Sequence, residues 1–107
     1  MLYEYRRYEA IPGRLGDLNQ RFATRTLKIW ERHHIEPVGF WQAVVGVPNE
    51  LHYLLRWKDM AERDEKWSAF QADPEWQATV TETERNGPLV ARIQNSFWQP
   101  TDYSPMR

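Results

Sequence analysis

The chain has 107 residues, 41 % of them hydrophobic and 27 % charged, with a formal net charge of −1 and no cysteine. That composition excludes disulfides, thiolate chemistry, iron–sulfur clusters and cysteine-held zinc. No apolar run approaches the roughly 20 residues of a membrane-spanning helix, and Lys and Arg are scattered rather than gathered in a stripe, so neither membrane insertion nor a nucleic-acid partner is expected.

Leu2 to Glu9 (LYEYRRYE), rich in tyrosine and closed by Ile11-Pro12-Gly13, reads as a first strand. Met1 to Tyr8 carries no apolar h-region and no small-residue cleavage site, which gives the expectation of a cytoplasmic protein. From Arg14 to about His33, Leu15, Leu18, Phe22, Ile29 and Trp30 fall at helical spacing, with Thr26 filling a gap in the apolar stripe. This long helix stops ahead of Pro37. Val38 to Gly46 (VGFWQAVVG) and Glu50 to Trp57 (ELHYLLRW) read as two strands of a hairpin turning at Val47-Pro48-Asn49. Asp59 to Glu62 is a capping box that opens a second helix. Asp73-Pro74 interrupts it, with Asp suited to the N-cap and Pro to the first helical position, and a further segment runs from Pro74 to about Arg85. Asn86-Gly87-Pro88 ends that segment, Val90 to Trp98 (VARIQNSFW) is a last strand, and residues 100–107 form a Pro-containing tail.

The order is strand, helix, strand, strand, helix, strand: an α+β, ferredoxin-like βαββαβ domain over residues 1–107, with an antiparallel four-stranded sheet and helices on one face. Six Trp, five Tyr and four Phe are a heavy aromatic load for so small an interior. Both faces of the predicted strands carry apolar groups, yet two helices cover only one face. A second copy of the same chain is the simplest cover for the other, so a homodimer through the open sheet face is expected.

Several segments carry a family resemblance: Tyr3-Glu4-Tyr5-Arg6-Arg7-Tyr8 with Pro12-Gly13, Val38-Gly39-Phe40-Trp41, Tyr53-Leu54-Leu55-Arg56-Trp57 leading into Met60-Ala61-Glu62-Arg63, Asp73-Pro74-Glu75-Trp76, and the closing tail from Pro100 to Pro105. In that order and spacing they resemble the NIPSNAP family. The resemblance implies the dimeric α+β barrel, in which two ferredoxin-like sheets meet face to face, and it implies no assigned reaction. Many relatives place a His in the third strand where this chain has Tyr53, with His52 one position earlier, so no role tied to that His carries over.

Glu4, Arg6 and Tyr8 share one face of the first strand and are the candidate polar groups of a pocket for a small apolar or aromatic molecule; an ordinary ion-pair ladder has the same pattern. Trp41, Tyr53 and Trp98 are the candidate aromatic lining, with His52 and Gln94 beside them, and plain core or dimer packing explains the aromatics as readily. Adjacent on a helix, His33 and His34 diverge by about 100° and share no metal. His52 has no visible second ligand, so neither metal nor cofactor is expected, although a strand His near neutral pKa suits a general base. No G-x-S-x-G turn or phosphate-cradling glycine loop is present. Trp67, Phe70 and Trp76 read as core of the second helical region. Two functions stand open: a small-molecule-binding dimer, with cofactor-free oxygenation or isomerisation as the fold-level analogy, and a noncatalytic protein-interaction module.

Overall fold

The computed structural model describes residues 1–107. Strand β1 (Leu2–Ala10) is followed by one continuous helical arm: α1 (Leu15–Arg21), a π-helical turn (Phe22–Thr26) and α2 (Leu27–Arg32). Then come β2 (Glu36–Trp41), β3 (Glu50–Trp57), α3 (Met60–Gln71), α4 (Pro74–Thr83) and β4 (Val90–Trp98). The sheet runs β2-β3-β1-β4 with all neighbours antiparallel, the ferredoxin-like order expected from the sequence.

The helix boundaries follow their capping chemistry. Asp59 accepts from the Glu62 amide at 2.9 Å, and Glu62 reaches back to accept from the Lys58 amide at 3.0 Å, one residue earlier than a standard capping box. Asp73 accepts from the Glu75 amide at 2.8 Å with Pro74 in the first turn, so one helical region becomes two.

Two expectations fail in local geometry. The second strand ends at Trp41, and residues 42–49 form a loop in which Val44 and Val45 are almost wholly exposed. β2 is an edge strand, and Gly46 (φ 144°) and Asn49 (φ 63°) leave the extended region. Asn49 sets the return by donating to the Ala10 carbonyl at 2.6 Å while the Ala10 amide donates to the Asn49 carbonyl at 3.0 Å. The first helix is also irregular: the position that fills the apolar gap, Thr26, closes the π-helical turn.

β3 shows the cleanest alternation, with Leu51, Tyr53, Leu55 and Trp57 buried and His52, Leu54 and Arg56 only half-buried on the other face. Opposed residues of an antiparallel pair share a face. The register sets Glu4 opposite Leu55, Arg6 opposite Tyr53 and Tyr8 opposite Leu51, so these three join the buried, helix-covered side. On that side Trp30 is the hub, its ring centroid 5.6 Å from Phe22, 5.6 Å from Tyr53 and 6.0 Å from Phe70. Removing it to Ala is expected to cost about 3–5 kcal/mol.

The other face carries Tyr5 stacked between His52 (6.0 Å) and Trp98 (5.0 Å). Trp41 folds over Gly39 there, where an added Cβ would meet the indole at 2.8 Å. The tail returns beside Tyr3, Leu54 and Trp98, so the chain itself covers one corner of this face. The six tryptophans divide evenly: Trp30 and Trp57 buried, Trp67 and Trp76 half-buried, Trp41 and Trp98 exposed.

Candidate functional site

Glu4 starts the site because a carboxylate with no exposed surface demands partners. It has five donors: Arg6 Nη1 at 2.8 Å, Asn95 Nδ2 at 3.0 Å, Trp57 Nε1 at 3.1 Å, and both Nε and Nη2 of Arg63 at 3.1 Å. Burial alone would raise its pKa, but the bonds from Arg63, Asn95 and Arg6 outweigh burial and hold the carboxyl below its usual range. Arg63, on α3, thereby ties the helix layer to Glu4 on β1.

Arg6 carries the network onward. Its Nε donates to Tyr53 Oη at 2.9 Å, and the Tyr53 hydroxyl in turn donates to Tyr8 Oη at 2.8 Å. Burial works against the Arg6 cation, yet Tyr53, Tyr8 and Glu4 more than offset it and raise its pKa. Burial, with Tyr8 adding to it against the pull of Arg6, pushes the Tyr53 phenol well above its ordinary value, so it stays a neutral donor. Because the Tyr8 oxygen accepts from Tyr53 and, at 3.4 Å, from Arg6 Nη2, the Tyr8 proton is left to donate elsewhere.

Next to this network lies a cavity of about 240 Å³ between the sheet and the helices, reached by Arg6 and Tyr8 and walled by Phe22, Trp30, Trp67 and Trp76. Guanidiniums flank two of its indoles: Arg6 sits 4.6 Å from the centre of the Trp67 ring and Arg21 sits 5.2 Å from that of Trp76. Arg21 also bonds Glu84 at 2.9 Å across the cavity's outer wall. Ile93 and Gln71, both exposed, mark the rim.

The expected pocket residues therefore separate. Glu4, Arg6, Tyr8 and Tyr53 lie together on the helix side, whereas Trp41, His52, Gln94 and Trp98 lie on the open face; the sheet stands between the two sets. The reason is parity, since neighbours along a strand point to opposite sides. A cavity between the open face and a partner cannot hold both sets, and the polar trio belongs to the subunit's own interior. Sequence reasoning missed Arg21 and Thr26 as cavity residues and took Trp67 and Trp76 for core alone. The irregularity at Thr26 within the apolar stripe was the one available signal.

On the open face a second chain of polar groups runs from Tyr5, whose hydroxyl shares a 2.7 Å hydrogen bond with His52 Nδ1. His52 Nε2 lies 3.4 Å from Glu50, which pairs with Arg7 at 3.0 Å. No three His, Asp or Glu side chains converge as a metal site, and no helix is long and apolar enough to cross a membrane.

Comparison with known proteins adds the following. The family model described as NIPSNAP matches residues 3–105. Protein NipSnap homolog 1 of Danio rerio is 26 % identical over 106 residues, covering 99 % of this chain but only 36 % of that protein, so the chain spans about a third of that relative's length. Among solved structures, an uncharacterised NIPSNAP-like domain protein from Burkholderia xenovorans superposes with a TM-score of 0.86 at 26 % identity, over 97 % of this chain and 88 % of the other. A candidate antibiotic biosynthesis monooxygenase from Nitrosomonas europaea shares the fold alone, at a TM-score of 0.63 and 6 % identity over 94 % of this chain and 98 % of the other.

Proposed function

Since this chain belongs to the NIPSNAP family, which brings a fold and no assigned reaction, we propose its function from the site itself: it binds a small aromatic or apolar molecule in the cavity between sheet and helices. The observation that carries this is the meeting, in one interior space, of an aromatic wall with Arg6 and Tyr8, the two members of the desolvated Glu4–Arg6–Tyr53–Tyr8 network that reach it. A mainly apolar pocket with a few convergent polar groups is the usual form of a small-molecule site. At about 240 Å³ the space suits one or two fused rings and falls below drug-sized cavities. The open Tyr8 proton supplies a hydrogen bond to a ligand oxygen, and proton transfer is the chemistry these groups themselves support. The likeness to a candidate monooxygenase reaches no further than the fold.

The working form in this proposal is a homodimer joined through the open sheet face. Both edge strands, β2 and β4, lack a partner on one side, and the face between them exposes Trp41 and Trp98. Native mass spectrometry of the purified protein tests both parts together. A two-chain mass with a retained small molecule is the expected result; apo single chains alone would end the proposal.

A further inference from the structure

The two phenols beside the cavity leave one hydrogen-bond donor over. Arg6 Nε donates to Tyr53 Oη at 2.9 Å and Arg6 Nη2 donates to Tyr8 Oη at 3.4 Å, so both phenol oxygens already accept from the guanidinium. A single 2.8 Å bond joins the two hydroxyls, and it uses one of their two protons. Tyr53 has no exposed surface and no further partner, so its proton is the one that bond consumes. The spare proton falls to Tyr8, which borders the cavity.

Arg6 borders the same space. Its strand lies between β3 and β4, and on the helix-covered side its side chain keeps 9 % exposure. The guanidinium rests against Trp67 of the cavity wall, 4.6 Å from the ring centre. Nη2 has a second hydrogen to give beyond its long contact with Tyr8. Tyr8 Oη and Arg6 Nη2 therefore form a pair of donors 3.4 Å apart, a separation that one acceptor atom bridges with two bonds of ordinary length.

Charge decides the kind of acceptor. Glu4 is the one carboxylate inside the network, and Arg6 and Arg63 both bond it, so a positive charge is left uncompensated. Asp64, 3.4 Å from Arg63, is largely in water and weakened by screening, and Arg21 at the outer wall is already matched by Glu84. An oxyanion is thus favoured over a neutral oxygen. Its form follows from the wall. A carboxylate brings two oxygens to a place that offers one pair of donors, and leaving a charged oxygen against Phe22, Trp30, Trp67 and Trp76 is costly. A phenolate presents a single oxygen and spreads its charge over a ring that stacks on such a wall.

We propose that the cavity takes a small hydroxyaromatic molecule in its ionised, phenolate form, the oxygen held jointly by Tyr8 Oη and Arg6 Nη2 and the ring lying among the indoles. This rests on the ligand-binding reading above and sets the chemical class of its ligand. The test is isothermal titration calorimetry of the whole protein with three probes of one ring: pentafluorophenol; hexafluorobenzene, which lacks the oxygen; and pentafluorobenzoate, which stays ionised at every pH used and registers any change in the protein itself. At neutral pH, where pentafluorophenol is ionised, it is expected to bind about tenfold tighter than either of the others. As pH falls from about 7 to about 5 its affinity should drop by about threefold or more, in step with protonation of the probe, while the other two hold. Tyr8→Phe should weaken pentafluorophenol by about fivefold and hexafluorobenzene by less. The pH series is read on the parent protein, so it decides the matter even where the variant does not fold. Affinity for pentafluorophenol that rises toward pH 5 would make the neutral phenol the bound form and overturn the inference. So would pentafluorobenzoate binding as tightly as the phenol, or an unchanged affinity in folded Tyr8→Phe. Equal binding of all three probes would remove the oxyanion while leaving the cavity as a binding site. Binding of none would remove the cavity reading as well.

Discussion

Glu4 has no contact with solvent, so its charge is supported only by the groups around it. Glu4→Gln keeps the shape and removes the negative charge that two guanidiniums face. Leaving them uncompensated is expected to destabilise the protein by about 3–5 kcal/mol, read from urea unfolding midpoints. Tyr53→Phe is milder: it strands Arg6 Nε and takes a donor from Tyr8, for an expected loss of about 1–3 kcal/mol. Acid acts through the same carboxylates. The Asp73 carboxyl, which accepts from the His33 ring at 2.6 Å and also from the Glu75 amide and Arg32, is held down from 3.8 to about 2, and Glu4 is held below 4.5. A depressed folded pKa means that stability is fully present above the ordinary carboxylate value and disappears as pH falls through the lowered one. Melting temperature should therefore hold down to about pH 4.5 and then fall toward pH 2, and Asp73→Asn should flatten the lower part of that decline. A parent protein whose melting temperature stays level across this range would contradict the assignment. At this scale the sequence was legible in residue type: Glu4, Arg6 and Tyr8 stood out by their alternation along β1. Their side of the sheet was not, because parity fixes which residues agree with each other and says nothing about which face the helices choose.

The elements were legible where capping residues announce them. Asp59 and Asp73-Pro74 set both later helix starts within the chain itself. The β2–β3 connection misled because Val44 and Val45 have strand-like side chains, yet an edge strand gives them no second neighbour to pair with. The π-helical turn was concealed because hydrophobic spacing of a helix with one extra residue still reads as a helix with one gap. That extra residue makes a prediction. Thr24 is exposed in the turn, and deleting it should restore an uninterrupted α-helix while keeping α1 and α2 on their present sides. The expected protein melts no lower than the parent and binds a small aromatic probe such as naphthalene more weakly, since Phe22 and Thr26 no longer shape the wall; calorimetry and thermal unfolding together check it. A deletion that unfolds the chain would show that the irregular turn is structural rather than a device of the cavity.

For the molecule as a whole, the order of strands and the family are the parts the sequence made plain, and the division of labour between the two faces is what only coordinates resolve. The interior side holds the polar network and the cavity, and the outer side holds stacked Tyr5, His52 and Trp98. These are separable, so under the proposed pairing through the open face Trp98→Glu should yield single chains in sedimentation at micromolar concentration while calorimetric binding of a small aromatic probe such as naphthalene persists. A variant that stays dimeric would place the contact elsewhere. The distribution of the six indoles has a practical consequence. Trp57 emits from the core, Trp30, Trp67 and Trp76 from around the cavity, and Trp41 and Trp98 from the sheet surface. Intrinsic fluorescence thus contains three built-in reporters, and replacing the indoles of one group with phenylalanine lets a single cuvette separate unfolding and occupancy from events at the open face.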